Sequence, residues 1–126
     1  MGHKQVLIQY KDPLITAQSM ASSFVGTPIN IQFLDNFAVQ VSWSGSNPIG
    51  TINFQVSLDY STQTKTGTWS RIQSTPGVDL AVYPGGASGN CFLDFNQVAA
   101  SWIQVTYTTT AGSIGALSVV AEGKEV

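Results

Sequence analysis

Apolar and polar residues alternate along much of the chain, with the period of two that is typical of half-buried β-strands. In residues 37–43 the large apolar side chains occupy the odd positions, and in residues 52–58 they occupy the even positions. We predict these two segments as central strands of the fold. The turn-forming residues 44–50 between them are expected to close an antiparallel hairpin.

Shorter segments with strand character follow one another at intervals of about ten residues. They are residues 6–10, 29–33, 68–72, 78–83, 91–95, 102–107 and 116–121. A turn at residues 111–113 is expected to join the last two. This set of about seven to nine short strands predicts an all-β protein, either an antiparallel β-sandwich or a jelly roll.

The beginning of the chain lacks this regular alternation. Residues 14–23 hold enough Ala, Met, Gln and Leu for a short helix, although Pro13 and Pro28 on either side suit an arm or a loop equally well. We therefore expect residues 1–28 to form an N-terminal strand and arm. Residues 29–126 are expected to form a single β-sandwich domain, and residues 96–100 suit one helical turn.

The chain carries few charges for its length. Of its 126 residues, five are Lys or Arg and seven are Asp or Glu, whereas Ser, Thr, Asn and Gln together number 42. A net charge of −2 without a basic cluster argues against a nucleic-acid partner. No apolar run reaches the roughly 18 residues of a membrane span, and the N-terminus lacks the apolar segment of a secretory signal.

The reactive side chains are too few for most catalytic sites. His3 is the single histidine and Cys91 the single cysteine, which argues against a histidine-based triad and against a multi-cysteine metal site. Cys91 lies in an apolar segment and is expected to pack as a small hydrophobic side chain. Asp12, Asp35 and Asp59 occupy positions typical of turns. We predict a protein that is not an enzyme and that uses no metal or cofactor.

The outward faces of the predicted strands are uncharged. Amide and hydroxyl groups can be buried in an interface at lower cost than ions, although a solvated β-surface would have the same composition. We predict that these faces, together with the N-terminal arm, contact copies of the chain. The residues expected at this interface are Leu14, Ile15 and Met20 in the arm and Gln40, Gln55 and Gln104 on the strands.

Several motifs follow one another in the β region. In order they are Leu-Asp-Asn at 34–36, Val-Gln-Val-Ser-Trp-Ser-Gly at 39–45, Pro-Ile-Gly-Thr-Ile-Asn-Phe-Gln-Val-Ser-Leu-Asp-Tyr at 48–60, Gly-Thr-Trp at 67–69, Trp-Ile-Gln-Val-Thr-Tyr-Thr at 102–108 and Gly-Ala-Leu at 115–117. This order resembles small structural proteins of bacterial viruses. The resemblance covers about residues 30–124, and its motifs are structural and not catalytic.

The resemblance implies a virion component that is assembled in the host cytoplasm. Such a component would decorate or stabilise a capsid, or form a small subunit of a tail, spike or vertex. Its expected partners are copies of itself, in a homo-oligomer such as a trimer, and other virion proteins such as a major capsid protein. Neither a nucleic acid nor an inserted membrane is expected as a partner.

The aromatic residues allow an alternative function, a carbohydrate-binding module or phage adhesin that recognises host-surface glycan. Trp43 shares its strand face with Phe37, Val39 and Val41 and is expected in the core. An exposed platform of aromatic rings could stack on sugars. The candidates for that platform are Tyr60, Trp69, Tyr83 and Trp102.

Overall fold

The structure is a computed structural model that describes residues 10–32, 36–96 and 100–124. Within these residues every regular element is a β-strand, which confirms the all-β prediction. None of the described residues forms a helix that could cross a bilayer. The strands are β1 (Tyr10–Ser19), β2 (Phe24–Val25), β3 (Ile29–Asn30), β4 (Asn36–Asn47), β5 (Gly50–Ser57), β6 (Ser70–Arg71), β7 (Gln73–Thr75), β8 (Val78–Asp79), β9 (Ala81–Val82), β10 (Gly89–Asn96), β11 (Trp102–Thr109) and β12 (Ile114–Lys124).

The long strands form two antiparallel sheets. Sheet A has the order β1-β12-β4-β10. Sheet B is centred on β11 and β5; β2 and β3 pair with the free side of β11, and β6 and β9 pair with the free side of β5. The remaining strands, β7 and β8, form a small separate hairpin.

One hydrophobic core lies between the two sheets. The alternation of the sequence supplies it, because every second side chain of a strand points to the same face. Val39 and Val41 of sheet A and Phe54 and Val105 of sheet B are completely buried in it. Phe95 of β10 contacts Phe54 across the core, with ring centroids 5.8 Å apart. The antiparallel β-sandwich prediction therefore holds.

The predicted hairpin between β4 and β5 is wrong. β4 pairs with β12 and β10 in sheet A, whereas β5 pairs with strands of sheet B, so Pro48 and Ile49 carry the chain from one sheet to the other. The turn expected at residues 111–113 is present, since the Ser113 amide donates to the Thr110 carbonyl, and it also joins strands of different sheets. Period-two patterning identifies strands but does not say which strand pairs with which.

The short helix considered for residues 14–23 is also wrong. The chain is extended as β1 up to Ser19 and pairs with β12, with register shifts on both sides of Ile15 and a positive φ of 43° at Ala17. Pairing with β12 outweighs the weak helix propensity of this segment. Other predictions lie outside the described residues, namely the strand at residues 6–9, the turn at residues 97–99, and the positions of His3 and Asp35.

Candidate functional site

The three N-terminal residues expected at a subunit interface lie inside the chain's own core. Leu14, Ile15 and Met20 are all buried, and Met20 has no solvent exposure. The Met20 amide donates to the Gly115 carbonyl, 2.9 Å away. The Met20 carbonyl accepts a 2.7 Å hydrogen bond from the hydroxyl of Thr109. These side chains therefore stabilise this fold and are not presented to a neighbouring subunit, which corrects the expectation.

The three glutamines expected at an interface do not lie on one surface. Gln55 and Gln104 face outward from sheet B, in register with each other, and the Gln104 amide donates to the Gln55 side-chain oxygen at 2.7 Å. Gln104 is only 8% exposed. Gln40 is exposed on the outer face of sheet A. The structure thus brings two of the three together and leaves the third on the opposite side of the sandwich.

Much of the polar outer face of sheet B is already covered within the single chain. Asn53 and Ser57 point outward beside Gln55 but are buried. The Asn53 side chain donates to the Leu80 carbonyl, and the Ser57 hydroxyl donates to Asp59. Among the described residues, no buried side-chain nitrogen or oxygen lacks a hydrogen-bond partner. Since these groups are satisfied internally, this face does not need a second molecule to complete it.

The outer face of sheet A is the open polar surface of the molecule. Gln40 lies in its middle, with Phe92 of β10 on one side and Val120 of β12 on the other. Ser42 and Ser118 continue this uncharged surface in the next row across the sheet. Phe92 is 67% exposed, although an aromatic ring of this size normally gains by burial. A face whose middle rows are uncharged and whose edge carries an exposed ring is suited to contact with another protein surface.

Sequence reasoning missed Phe92 as a surface residue. The sequence predicts a strand at residues 91–95 and places Cys91 in an apolar segment, but the alternation of these residues separates two faces. Cys91, Leu93 and Phe95 point toward the core, whereas Phe92 and Asp94 point to solvent. Asp94 is the signal that could have identified Phe92. Residues i and i+2 of a strand point to the same face, and a charged side chain such as Asp94 marks the solvent face.

Three of the four aromatic residues considered for sugar stacking form one cluster. Tyr60 contacts Trp69 with ring centroids 5.4 Å apart and Trp102 with centroids 5.0 Å apart. All three side chains are partly buried. Tyr83, 71% exposed, lies near the other end of β5, about 20 Å away by strand rise along that strand. The cluster packs the loop after β5 against sheet B, so its rings are tilted against each other and do not form a flat platform.

A shallow groove of about 460 Å³ lies next to this cluster and is lined in part by Ser57, Asp59 and Thr68. Asp59 closes the loop, since it accepts hydrogen bonds from the Thr68 amide at 2.7 Å and from the Thr68 hydroxyl at 3.1 Å. The hydrogen bond from the Thr68 amide, followed by those from the hydroxyls of Ser57 and Thr68, lowers the pKa of Asp59 below its usual range. This confirms the turn role predicted for Asp59.

Among residues 10–32, 36–96 and 100–124, the other titratable groups do not converge on a catalytic arrangement. Asp79 pairs with Arg71 at 2.9 Å on the surface, and this hydrogen bond lowers the pKa of Asp79. Partial burial raises the pKa of the Cys91 thiol, which disfavours the thiolate. In the part of the chain that the structure describes, no three His, Cys, Asp or Glu side chains are grouped so that they could hold a metal ion.

Comparison with known proteins defines the fold but no sequence family. No protein-family model matches the chain, and no curated protein sequence matches it. The fold is similar to that of the SPBc2 prophage-derived protein YomS, with a TM-score of 0.64 and 10% sequence identity; the match covers 99% of this chain and 100% of that one.

Two further solved structures give weaker matches. A chain in the structure of infectious bursal disease virus, Gx strain, matches with a TM-score of 0.50 and 10% identity over 94% of this chain. Only 32% of that viral chain is covered, so the present chain spans about a third of it. A CBM4 structure matches with a TM-score of 0.42 and 8% identity, over 80% of this chain and 56% of that one. That last similarity is too weak to support an argument.

Proposed function

We propose that this chain is a non-enzymatic structural subunit of a bacteriophage virion. It acts through subunit–subunit contacts, as a capsid-decorating or capsid-stabilising protein or as part of a spike or tail. Its partners are copies of itself and other virion proteins, such as a major capsid protein. The observation that carries this proposal is the full-length similarity in fold to a prophage-derived protein, in which both chains are covered almost from end to end.

The surface chemistry supports the same proposal. The middle rows of the outer face of sheet A present Gln40, Ser42 and Phe92 without a charge, whereas Asp94 and Glu122 lie in the next row on either side of Ala38. The uncharged rows can be desolvated without burying an ion. A free protein normally carries Lys and Glu on such a face, which keep it soluble and prevent association. Contact with a shell or with further copies gives a physical reason for their scarcity.

The proposal is tested by measuring whether the chain is present in purified particles. The gene is deleted from its host and resupplied in trans, and particles are purified on a density gradient and washed in high salt. We expect the wild-type chain to remain bound at constant stoichiometry by mass spectrometry, and particles without it to release their nucleic acid at lower temperature. Absence of the chain from washed particles would overturn the proposal.

A matched pair of variants locates the contact. Gln40→Lys places a charge in the middle of the outer face of sheet A and should lower occupancy, because that charge must be desolvated on binding. Gln63→Lys makes the same change on an exposed loop residue far from that face, and should leave occupancy unchanged. Equal occupancy of the two variants would place the contact elsewhere on the molecule.

Glycan recognition is a second candidate function, and one observation favours it. Tyr60 contacts both Trp69 and Trp102, and the nearby groove combines apolar side chains with the polar groups of Ser57, Asp59 and Thr68, as ligand sites commonly do. A glycan array probed with the wild-type chain and with Trp69→Ala tests it. Binding that is lost in Trp69→Ala and kept in Tyr83→Ala would favour this candidate. Absence of binding by the wild-type chain, or binding unaffected by either change, would remove it.

A further inference from the structure

Among the strands that the structure describes, none pairs with the outer side of β10. β10 is the end strand of sheet A and pairs with β4 along its whole length, Gly89–Asn96, without a register shift. Within the described residues, no backbone hydrogen bond reaches its other side. A regular, unpaired edge of this length exposes a row of N–H and C=O groups that can accept another strand.

The opposite edge of sheet A is protected, whereas no described residue protects the edge of β10 in the same way. β1 contains Pro13, which has no N–H to donate, and two register shifts interrupt its pairing with β12. The Thr27 amide also donates to the Leu14 carbonyl of β1. Proteins use proline, bulges, lysine and covering loops to prevent edge pairing, and β10 has no proline, no lysine and no bulge.

The side chains of β10 favour a weakly charged partner. Phe92 is 67% exposed on the outer face, and Cys91 and Leu93 are only partly buried on the inner face. An added strand would therefore remove apolar surface from water on both faces. The strand has one formal charge, on Asp94, which lies two residues after Phe92. The uncharged amide of Asn90 lies two residues before Phe92, at the matching position on the other side.

We propose that β10 pairs antiparallel with β10 of a second copy about a two-fold axis centred on Phe92. This pairing joins the two four-stranded sheets into one continuous sheet, with both outer faces on the same side. Each Asn90 then lies opposite Asp94 of the other copy, and each Cys91 lies opposite Leu93 of the other copy. The proposal deepens the proposed function and rests on it for its biological role, because the joined outer faces form one continuous surface that would contact a shell.

The choice of register follows from side-chain parity and charge. In an antiparallel pair, residues directly opposite each other point to the same face of the sheet. The two-fold axis must therefore lie midway between one residue and the same residue of the other copy, and we name the axis after that residue. An axis through Leu93 would place Phe92 against Asp94, and an axis through Asp94 would place two carboxylates together. An axis through Cys91 would shorten the paired segment to residues 89–93. The axis through Phe92 pairs residues 89–95 and places the only carboxylate opposite an amide.

The test is sedimentation velocity of the full chain across a concentration series, with three single variants. Wild type is expected to convert from monomer to dimer as concentration rises. Phe92→Lys places like charges opposite each other at the axis and should weaken the dimer by about tenfold or more. Asn90→Lys places a lysine opposite Asp94 of the other copy and should strengthen it about threefold at low salt. Val25→Lys changes an exposed apolar residue of a strand in sheet B and should have no effect.

These variants separate the outcomes clearly. A stronger dimer of Phe92→Lys would indicate the register centred on Leu93, in which residue 92 lies opposite Asp94, and would overturn the proposed register. A wild-type dimer linked by a disulfide between the two Cys91 residues would indicate the register centred on Cys91 and would overturn it too. A wild-type chain that stays monomeric up to about 1 mM, or a dimer indifferent to both β10 changes, would overturn the edge pairing itself. If the chain dimerises only after deletion of residues 1–9, the N-terminal segment of the same chain occupies the edge of β10 in the wild type, and the proposed dimer is overturned. Particle occupancy is a separate measurement, so failure here leaves the proposed function standing.

Discussion

Gly50 leaves the space that the ring of Tyr107 occupies: a Cβ atom at Gly50 would lie 2.5 Å from Cε1 of Tyr107. The Tyr107 hydroxyl donates to the Ile49 carbonyl, and the Ser113 hydroxyl lies 3.1 Å from the same phenol oxygen. The Ile49 amide in turn donates to the Ser113 hydroxyl at 3.2 Å. One tyrosine therefore holds two of the places where the chain crosses between the sheets, the one after β4 and the one before β12.

Gly50→Ala is expected to destabilise the fold by more than about 3 kcal/mol, because the added methyl group collides with Tyr107 and the φ of 150° disfavours a side chain. Urea unfolding followed by tryptophan fluorescence measures the change. Gly77→Ala is the control, since Gly77 has a φ of 85° but open space around it. It should cost only the conformational penalty, about 1–2 kcal/mol. Equal effects of the two changes would contradict the proposed collision.

Tyr107→Phe should reduce the free energy of unfolding by about 1–3 kcal/mol, because it leaves the Ile49 carbonyl without its phenol donor in a buried site. The comparison is Tyr83→Phe, which removes the same hydroxyl from an exposed ring and should stay within about 0.5 kcal/mol of wild type. Indistinguishable unfolding curves for the two variants would show that the buried hydroxyl has no special role.

Leu14→Ala is expected to cost about 2–5 kcal/mol, because Leu14 is buried in the core of the same chain. Gln18→Ala, on the same strand but exposed, should be close to neutral. Equilibrium unfolding of dilute protein is the measurement. A neutral Leu14→Ala would mean that β1 is not part of this core in solution and would restore the interpretation of residues 1–28 as an arm for a neighbouring subunit.

Asp59 should titrate below the usual range of an aspartate, and Thr68→Val should raise its pKa by removing one of the hydrogen bonds that favour the carboxylate. Because the pKa is lower in the folded state, the stabilisation is complete above the unfolded pKa of about 3.9 and is lost as the pH falls toward the folded pKa. NMR titration of the carboxyl carbons measures both effects. Asp79, whose pKa depends first on Arg71, serves as the internal control and should not respond to Thr68→Val.

The sequence was informative where apolar and polar residues alternate regularly along a whole strand. The alternation in residues 37–43 and 52–58 predicts β4 and β5 and their core side chains, because burial of one face requires that period. It also predicts the turn role of Asp59, since the preference of Asp for turns is local. The partner of each strand could not be predicted in this way, because pairing depends on residues far apart in the chain.

The candidate interface residues show the same limit. Gln40 and Gln104 are both glutamines on the outward face of a strand. Gln40 is exposed, whereas Gln104 is only 8% exposed. The difference arises from the side chains beside them, since Gln104 is paired with Gln55 in the middle of sheet B. The prediction of an arm within residues 1–28 misses the long strand β1, because the partners of β1 in β12 lie about a hundred positions away, beyond the reach of any local pattern.

The pairing of β1 with β12 has a consequence for biosynthesis. Within the described residues, the strand neighbour of β1 in sheet A is β12, and β12 is also the strand that connects β1 to β4. A ribosome that has synthesised only as far as β11 has therefore made a chain in which Leu14 and Val39 still lack the strand that lies between them. We expect such nascent chains to bind chaperones, and sheet A to close as a unit only after residues 114–124 leave the exit tunnel.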